Sequence, residues 1–111
     1  MPVVRVDAYR TSAFGAITGS FTAVGAPLSH NWRAWRITNN TDGDLIVSLD
    51  GVTNNLFVPA NSFVLYDLTA NTDDDGSSAL VMAIGSQFYV KSSTVPTSGA
   101  IYIEAIYMQG Q

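Results

Sequence analysis

"RITNNTDGDLIVSLDGVTNNLFVPANSFVLYDL", residues 36 to 68, holds apolar residues at a spacing of two and is broken by Asn, Asp, Gly and Pro. Leu45, Val47 and Leu49 alternate with Asp44, Ser48 and Asp50, the pattern of a strand with one dry side and one wet side. Leu56 to Val58 is a short run stopped by Pro59, and Val64, Tyr66 and Leu68 line one side of the next. The breaks at "NTDGD" (40–44), "DG" (50–51) and "PAN" (59–61) are turns with a mechanism: Gly supplies positive φ, Asn and Asp bond their own backbone, and Pro fixes φ. The stretch therefore predicts two antiparallel strand pairs.

The same reading extends in both directions. Val4, Val6 and Ala8 share a face, Phe21, Ala23 and Gly25 suggest a short strand, and Trp35 and Ile37 alternate with Ala34 and Arg36. "ALVMAI" from Ala79 is a continuous apolar run, Phe88 and Val90 follow, and Ile101, Ile103, Ala105 and Tyr107 form the longest alternation. Eight or nine short strands with such turns, and no window with a helical stripe, predict an all-β fold, an antiparallel β-sandwich. Residues 10–20, "RTSAFGAITGS", are the least periodic. They are expected to form a loop or flexible arm, following an N-terminal strand, that orders only against a partner.

A chain of 111 residues is one domain by size, here 1–111, and can close a core without staples. It has no Cys, so no disulfide or thiolate site is open to it. No window reaches the ~18 to 20 apolar residues of a helical membrane span, so no membrane partner is expected. Only 13% of residues are charged, about half the ~25% of an ordinary soluble domain. Five Lys and Arg against a net charge of −4 give no footprint for a phosphate backbone, and nucleic acid is excluded as an expected partner. A surface of Ser, Thr, Asn, Gly and Tyr suits a chain packed against other proteins, because interface cores are poor in Lys, Glu and Asp.

Few residues invite chemistry. Asn71, Asp73, Asp75 and Gly76 open as a calcium loop does, but the twelfth position, where a bidentate Glu belongs, is Met82. The stretch is read as a solvated hairpin tip, and no metal or other cofactor is expected. His30 is the lone His and has no Gly-x-Ser-x-Gly elbow to serve. The Asp residues sit in turns, and Glu104 is expected to point out of the last strand. The chain reads as a non-enzyme. "NWRAWR" (31–36) is the surface element of interest: at strand spacing Trp32, Ala34 and Arg36 face one way and Arg33, Trp35 and Ile37 the other. One Trp is expected in the core and the other, with its Arg, as an interface anchor or a cation-π pair. Trp32, Arg33, Trp35 and Arg36, with Asp42 and Asp44 of the adjoining turn, are the candidate partner-binding residues.

"RITNNTDGDLIVSLDGVTNNLFVPANSFVLYDLTAN" (36–71), "GSQFYVK" (85–91) and "PTSGAIYIEAIY" (96–107) together resemble a group of small all-β virion proteins of tailed bacteriophages, over roughly residues 33 to 107. In length, absence of Cys and strand pattern the chain is similar to the capsid decoration, cement or stapling proteins of short-tailed phages, the epsilon-fifteen type. The resemblance implies a jelly-roll-like sandwich on the outside of the capsid, in the host cytoplasm during assembly. It implies the major capsid protein as partner and a homodimer or higher homo-oligomer as the working form, and it brings no catalytic residues. Two other classes share these strands: a tail module binding a receptor or carbohydrate through an exposed Trp with Asn and Asp, and a head-to-tail joining protein assembled as a ring.

Overall fold

The computed structural model describes residues 3–67 and 82–109 of the chain. Nine strands lie among them: β1 (Val3–Val6), β2 (Arg10–Ala13), β3 (Thr22–Ala23), β4 (Trp32–Thr41), β5 (Leu45–Ser48), β6 (Leu56–Val58), β7 (Ser62–Asp67), β8 (Tyr89–Ser92) and β9 (Gly99–Gln109). One 3₁₀ turn, Phe14–Ala16, follows β2. Every pairing is antiparallel. One sheet runs β1-β9-β4-β7, with β2 also on β9, and the other runs β3-β8-β5-β6.

The pairings are nested. β1 and β2 lie against β9, β3 against β8, β4 against β7 and β5 against β6. The chain thus behaves as one long hairpin whose tip is the loop between β5 and β6, rolled so that alternate arms fall in opposite sheets. This is the jelly-roll arrangement of a β-sandwich. Its turns use the residues that the sequence offers for them. Asn61, between β6 and β7, takes φ +55, a conformation Asn tolerates. Gly99 takes φ +87, and a Cβ there would lie 1.8 Å from the Asn40 carbonyl oxygen, so no other residue fits.

The core lies between the sheets, where Ile37, Ile101 and Ile103 of one face Leu45, Val47, Val58 and Val90 of the other, all without solvent contact. Both tryptophans join it. Strict alternation would put Trp32 outside, yet it is 0% exposed and Trp35 is 7% exposed. The reason is a bulge: Trp32 pairs with Tyr107 but Ala34 with Ile106, so Arg33 is an extra residue and the parity of β4 flips before Trp35. Trp32 stacks on Phe88, ring centroids 5.7 Å apart, and Trp35 on Tyr66 at 5.5 Å. The expectation of one tryptophan at the surface is corrected accordingly.

Residues 10–20 also differ from expectation. Arg10–Ala13 pair with Ile103 to Ala100 of β9, and Ile17 is buried in the core. Period-two reading missed this because the anchor is polar. Arg10 lays its guanidinium 4.9 Å from the Trp32 ring centre and donates to the carbonyls of Ala26 and Pro27, while Asp7 accepts from Trp32 Nε1 at 2.8 Å. In β1 the apolar row points outward, with Val6 79% exposed. The acidic stretch at 71–76, Leu68 and the first residues of the run from Ala79 lie outside the described residues. Met82, farther along that run, exchanges backbone hydrogen bonds with Trp32.

Asn39, at the turn end of β4, is fully buried and donates through Nδ2 to the carbonyls of Gly43, Val58 and Pro59. Removing it orphans several buried groups, each costing about 1–3 kcal/mol. Asn39→Ala should lower unfolding free energy by on the order of 3 kcal/mol in a urea titration, while Asn40→Ala, at an exposed position, should change it by less than about 0.5 kcal/mol. The position of β2 makes a second prediction. In the isolated chain, hydrogen-exchange mass spectrometry should find the amides of Arg10–Ala13 that bond to β9 as protected as those of neighbouring strands, and rapid exchange there would contradict the pairing.

Candidate functional site: the outer face of the five-stranded sheet

Directly opposed residues of antiparallel strands share a face, so the register alone lays out the outer surface of the β1-β9-β4-β7 sheet. One row crosses it from Val6 through Ile106 and Ala34 to Asp67, the next from Glu104 through Arg36 to Leu65, and a third from Thr11 through Tyr102 and Thr38 to Phe63. Phe63 is 59% exposed and Leu65 62%, and Val4 also stands out from β1. A shallow groove of about 460 Å³ runs over this face, bordered by Val6, Ala34, Arg36, Phe63, Leu65, Glu104 and Ile106.

The centre of this apolar face is an ion pair. Arg36 Nη2 lies 2.7 Å from Glu104 Oε1, with Nε at 3.2 Å from the same oxygen. Its guanidinium carbon stands 5.8 Å from the Phe63 ring centre. Both side chains are about half exposed, so the pair adds at most about 1 kcal/mol to stability. Its larger effect is to leave the face with no net charge at its middle. Exposed apolar side chains scattered singly mean little; several sharing one sheet face are the signature of a surface that meets another molecule.

Of the candidate partner-binding residues, only Arg36 stands on this face. Trp32 and Trp35 are core residues, and Arg33, the bulged residue, is only 4% exposed. None of the three is exposed: the bulge brings Trp32 to the core side, and Trp35 shares the inner face with Ile37. Asp42 and Asp44 work within the chain. Asp42 accepts from the Thr97 backbone N–H at 2.7 Å and from the Thr97 hydroxyl, and Asp44 accepts from the Ala60 N–H at 2.9 Å. Glu104 points outward, as expected. His30 is exposed and stacks on Tyr107 with ring centres 3.8 Å apart.

Phe63, Leu65 and Ile106 were not singled out from the sequence, and Val6 was read only as part of a strand face, although for the first three a signal was present. "SFVLY" (62–66) and "AIYIEAIY" (100–107) carry large apolar residues at both parities, so neither strand has a wet side. Among the described residues no group of three or more His, Cys, Asp or Glu side chains is placed to hold a metal. No protein-family model, curated protein or solved structure matches the chain.

Hydrogen bonds lower the pKa of two carboxylates, Asp50 and Asp42. Asp50 accepts from the Thr53 and Val52 backbone N–H groups at 2.7 and 2.8 Å and from the hydroxyls of Ser48 and Thr53, bonds that favour the ionised form and lower its pKa. The Thr97 hydroxyl and N–H lower that of Asp42. A depressed folded-state pKa stabilises the fold above the unfolded value, near 3.9, and the contribution is lost as pH falls toward the folded value. Melting temperature should therefore stay level from about pH 5 to 8 and drop below about pH 4. Asp50→Asn should melt lower than the parent at pH 7, and the gap should narrow as the pH is brought below the unfolded value; a gap constant with pH would show that ionisation of Asp50 is irrelevant.

Proposed function

We propose that this chain is a structural protein of a tailed-bacteriophage virion that binds the outer surface of the assembled capsid and strengthens it. The outer face of the five-stranded sheet is the contact surface and the major capsid protein its partner. The observation that carries the reading is that face: exposed Val4, Val6, Phe63 and Leu65 around a neutralised Arg36–Glu104 pair. The sequence resemblance over residues 33 to 107 supplies the virion as the setting. The jelly-roll topology agrees with it at the level of analogy, since the architecture also serves capsid and lectin domains.

A firm contact needs on the order of 800 Å² per partner. Strands β1, β9, β4 and β7 hold 4, 11, 10 and 6 residues; at about 3.3 Å per residue and about 4.8 Å between strands they offer roughly 500 Å² of projected face, so one copy falls short of that area. Pairing of two copies as a homodimer would let each assembly hold two shell sites, with effective concentration making up the difference. Neither nucleic acid nor membrane is proposed as a partner. The cations support the first point: Arg10 is tied to backbone carbonyls, Arg36 to Glu104, and Lys91 lies over the Phe21 ring.

The test compares phage heads with and without the chain. Heads that lack it should assemble yet release their genome at a lower temperature, and adding the purified protein should restore the parental value. Phe63→Asp and Leu65→Asp, at positions 59% and 62% exposed, should keep the fold by circular dichroism and lose binding. Binding should weaken only modestly between low and high salt, because the middle of the contact face carries a matched ion pair and no patch of one sign. Heads that are equally robust without the chain, while adsorption to cells fails, would replace this reading with a tail receptor-binding one.

A further inference from the structure

The opposite surface of the sandwich has a different chemistry. On the β3-β8-β5-β6 sheet, Leu45, Val47, Val58 and Val90 point into the core, which turns Ile46, Phe57 and Lys91 outward as cross-strand neighbours. Phe57 is 54% exposed. Beside it the chain enters β6 through Asn54 and Asn55, and Ile46, Asn54, Asn55, Leu56 and Phe57 border a groove of about 280 Å³.

The polar groups at this groove are only partly used. Asn55 accepts the Leu49 N–H through Oδ1 at 2.9 Å, which fixes the carboxamide and leaves its Nδ2 donors without an acceptor among the described residues. The Asn54 carboxamide makes no hydrogen bond among the described residues. None of the five bordering residues is charged, and the nearest cation across the sheet, Lys91, rests 4.6 Å from the Phe21 ring centre, on the side of Ile46 away from Phe57. An aromatic plate edged by two carboxamides, with no charge, matches a molecule that has an apolar C–H face and a rim of hydroxyls. An anionic ligand finds no counter-charge here, and a purely apolar one would leave both amides unpaired.

We propose that this groove is a binding site for a neutral saccharide, with Phe57 as the plate on which a sugar ring lies and Asn54 and Asn55 as donors and acceptors to its hydroxyls. The volume lies just under the ~300 Å³ where pockets for drug-sized ligands begin, so it holds one ring of a longer chain and binds weakly. Multiple copies on one particle would turn that weak contact into useful avidity. The site lies on the other sheet from the surface proposed for the capsid; its binding stands or falls independently of that reading, and only the avidity rests on it.

Saturation-transfer NMR on the full chain with maltose, cellobiose, lactose and mannobiose, and with galacturonic acid as the charged comparison, tests the assignment. Saturation should reach the ring C–H protons of at least one neutral disaccharide and exceed that on the acid. Phe57→Ala should weaken binding roughly tenfold or more, equivalent to about 1.4 kcal/mol, and Asn54→Ala should weaken it by a smaller factor. Phe63→Ala, on the opposite face, should leave it unchanged. Phe57 and Asn54 are exposed, so both variants should keep the parental amide spectrum. Absence of transfer to every neutral sugar, transfer that survives Phe57→Ala, or preference for the acid would each overturn the proposal.

Discussion

The carboxamide of Asn39 has no contact with solvent and uses both its donor and acceptor atoms. Its two N–H bonds serve three carbonyls, of Gly43, Val58 and Pro59, and its oxygen accepts from the Thr41 N–H and hydroxyl at 3.0 and 2.6 Å. Asn39 belongs to β4 in one sheet, whereas Val58 ends β6 in the other, so one side chain spans the two layers. The neighbouring bonds depend on that span. With the β4–β5 turn fixed, Asp44 can cap the Ala60 N–H, Asn61 can donate to the Thr41 carbonyl, and Ser93 and Thr94 can donate to the Asp44 carbonyl. A hydrophobic core alone sets how far apart two sheets lie but only weakly how they are rotated and slid. Directional bonds from one buried amide supply that register.

Most of the strands and turns were legible because they obey one local rule. Alternation at period two located β4 to β9, and the turn residues around Gly43, Gly51 and Asn61 marked their ends. The failures share a cause as well. Trp32 was assigned its side by counting from Trp35, and one bulged residue inverts the count beyond it; nothing in "NWRAWR" announces the bulge. β2 was missed because its tether is the long-range contact of Arg10 with Trp32 and the 26–27 carbonyls, which no local window contains. Asp42 and Asp44 looked like surface acids for the same reason. Their partners, Thr97 and Ala60, are 55 and 16 residues away.

The scarcity of charge takes on structural meaning once the cations are placed. Arg10 serves as a packing element, its stem against Gly25 and its head on backbone carbonyls. Arg36 is matched by the sole Glu of the chain, directly across the β4–β9 ladder. Cross-strand opposite charges stabilise a sheet only modestly, yet here the pairing also cancels the Arg36 charge at the middle of the outer face. A face with Arg36 unmatched would be wetter and more selective for anions.

The outer face of the five-stranded sheet is not explained by folding. A strand favours β-branched and aromatic residues by up to about 1 kcal/mol even where exposed, which accounts for Val4, Val6 and, in part, Phe63. It does not account for Leu65, nor for the clustering of all four on one side of the sandwich. Positions 63 and 65 are more than half exposed, and Thr or Lys there would satisfy the same ladder. Each large side chain left outside forgoes roughly 1.5–3 kcal/mol of burial. Four of them together forgo an amount comparable to the whole stability of a small domain, about 5–15 kcal/mol. Among the described residues, those that the strand ladder does not require are gathered around a charge pair that cancels itself, and that gathering is the feature on which the proposed contact rests.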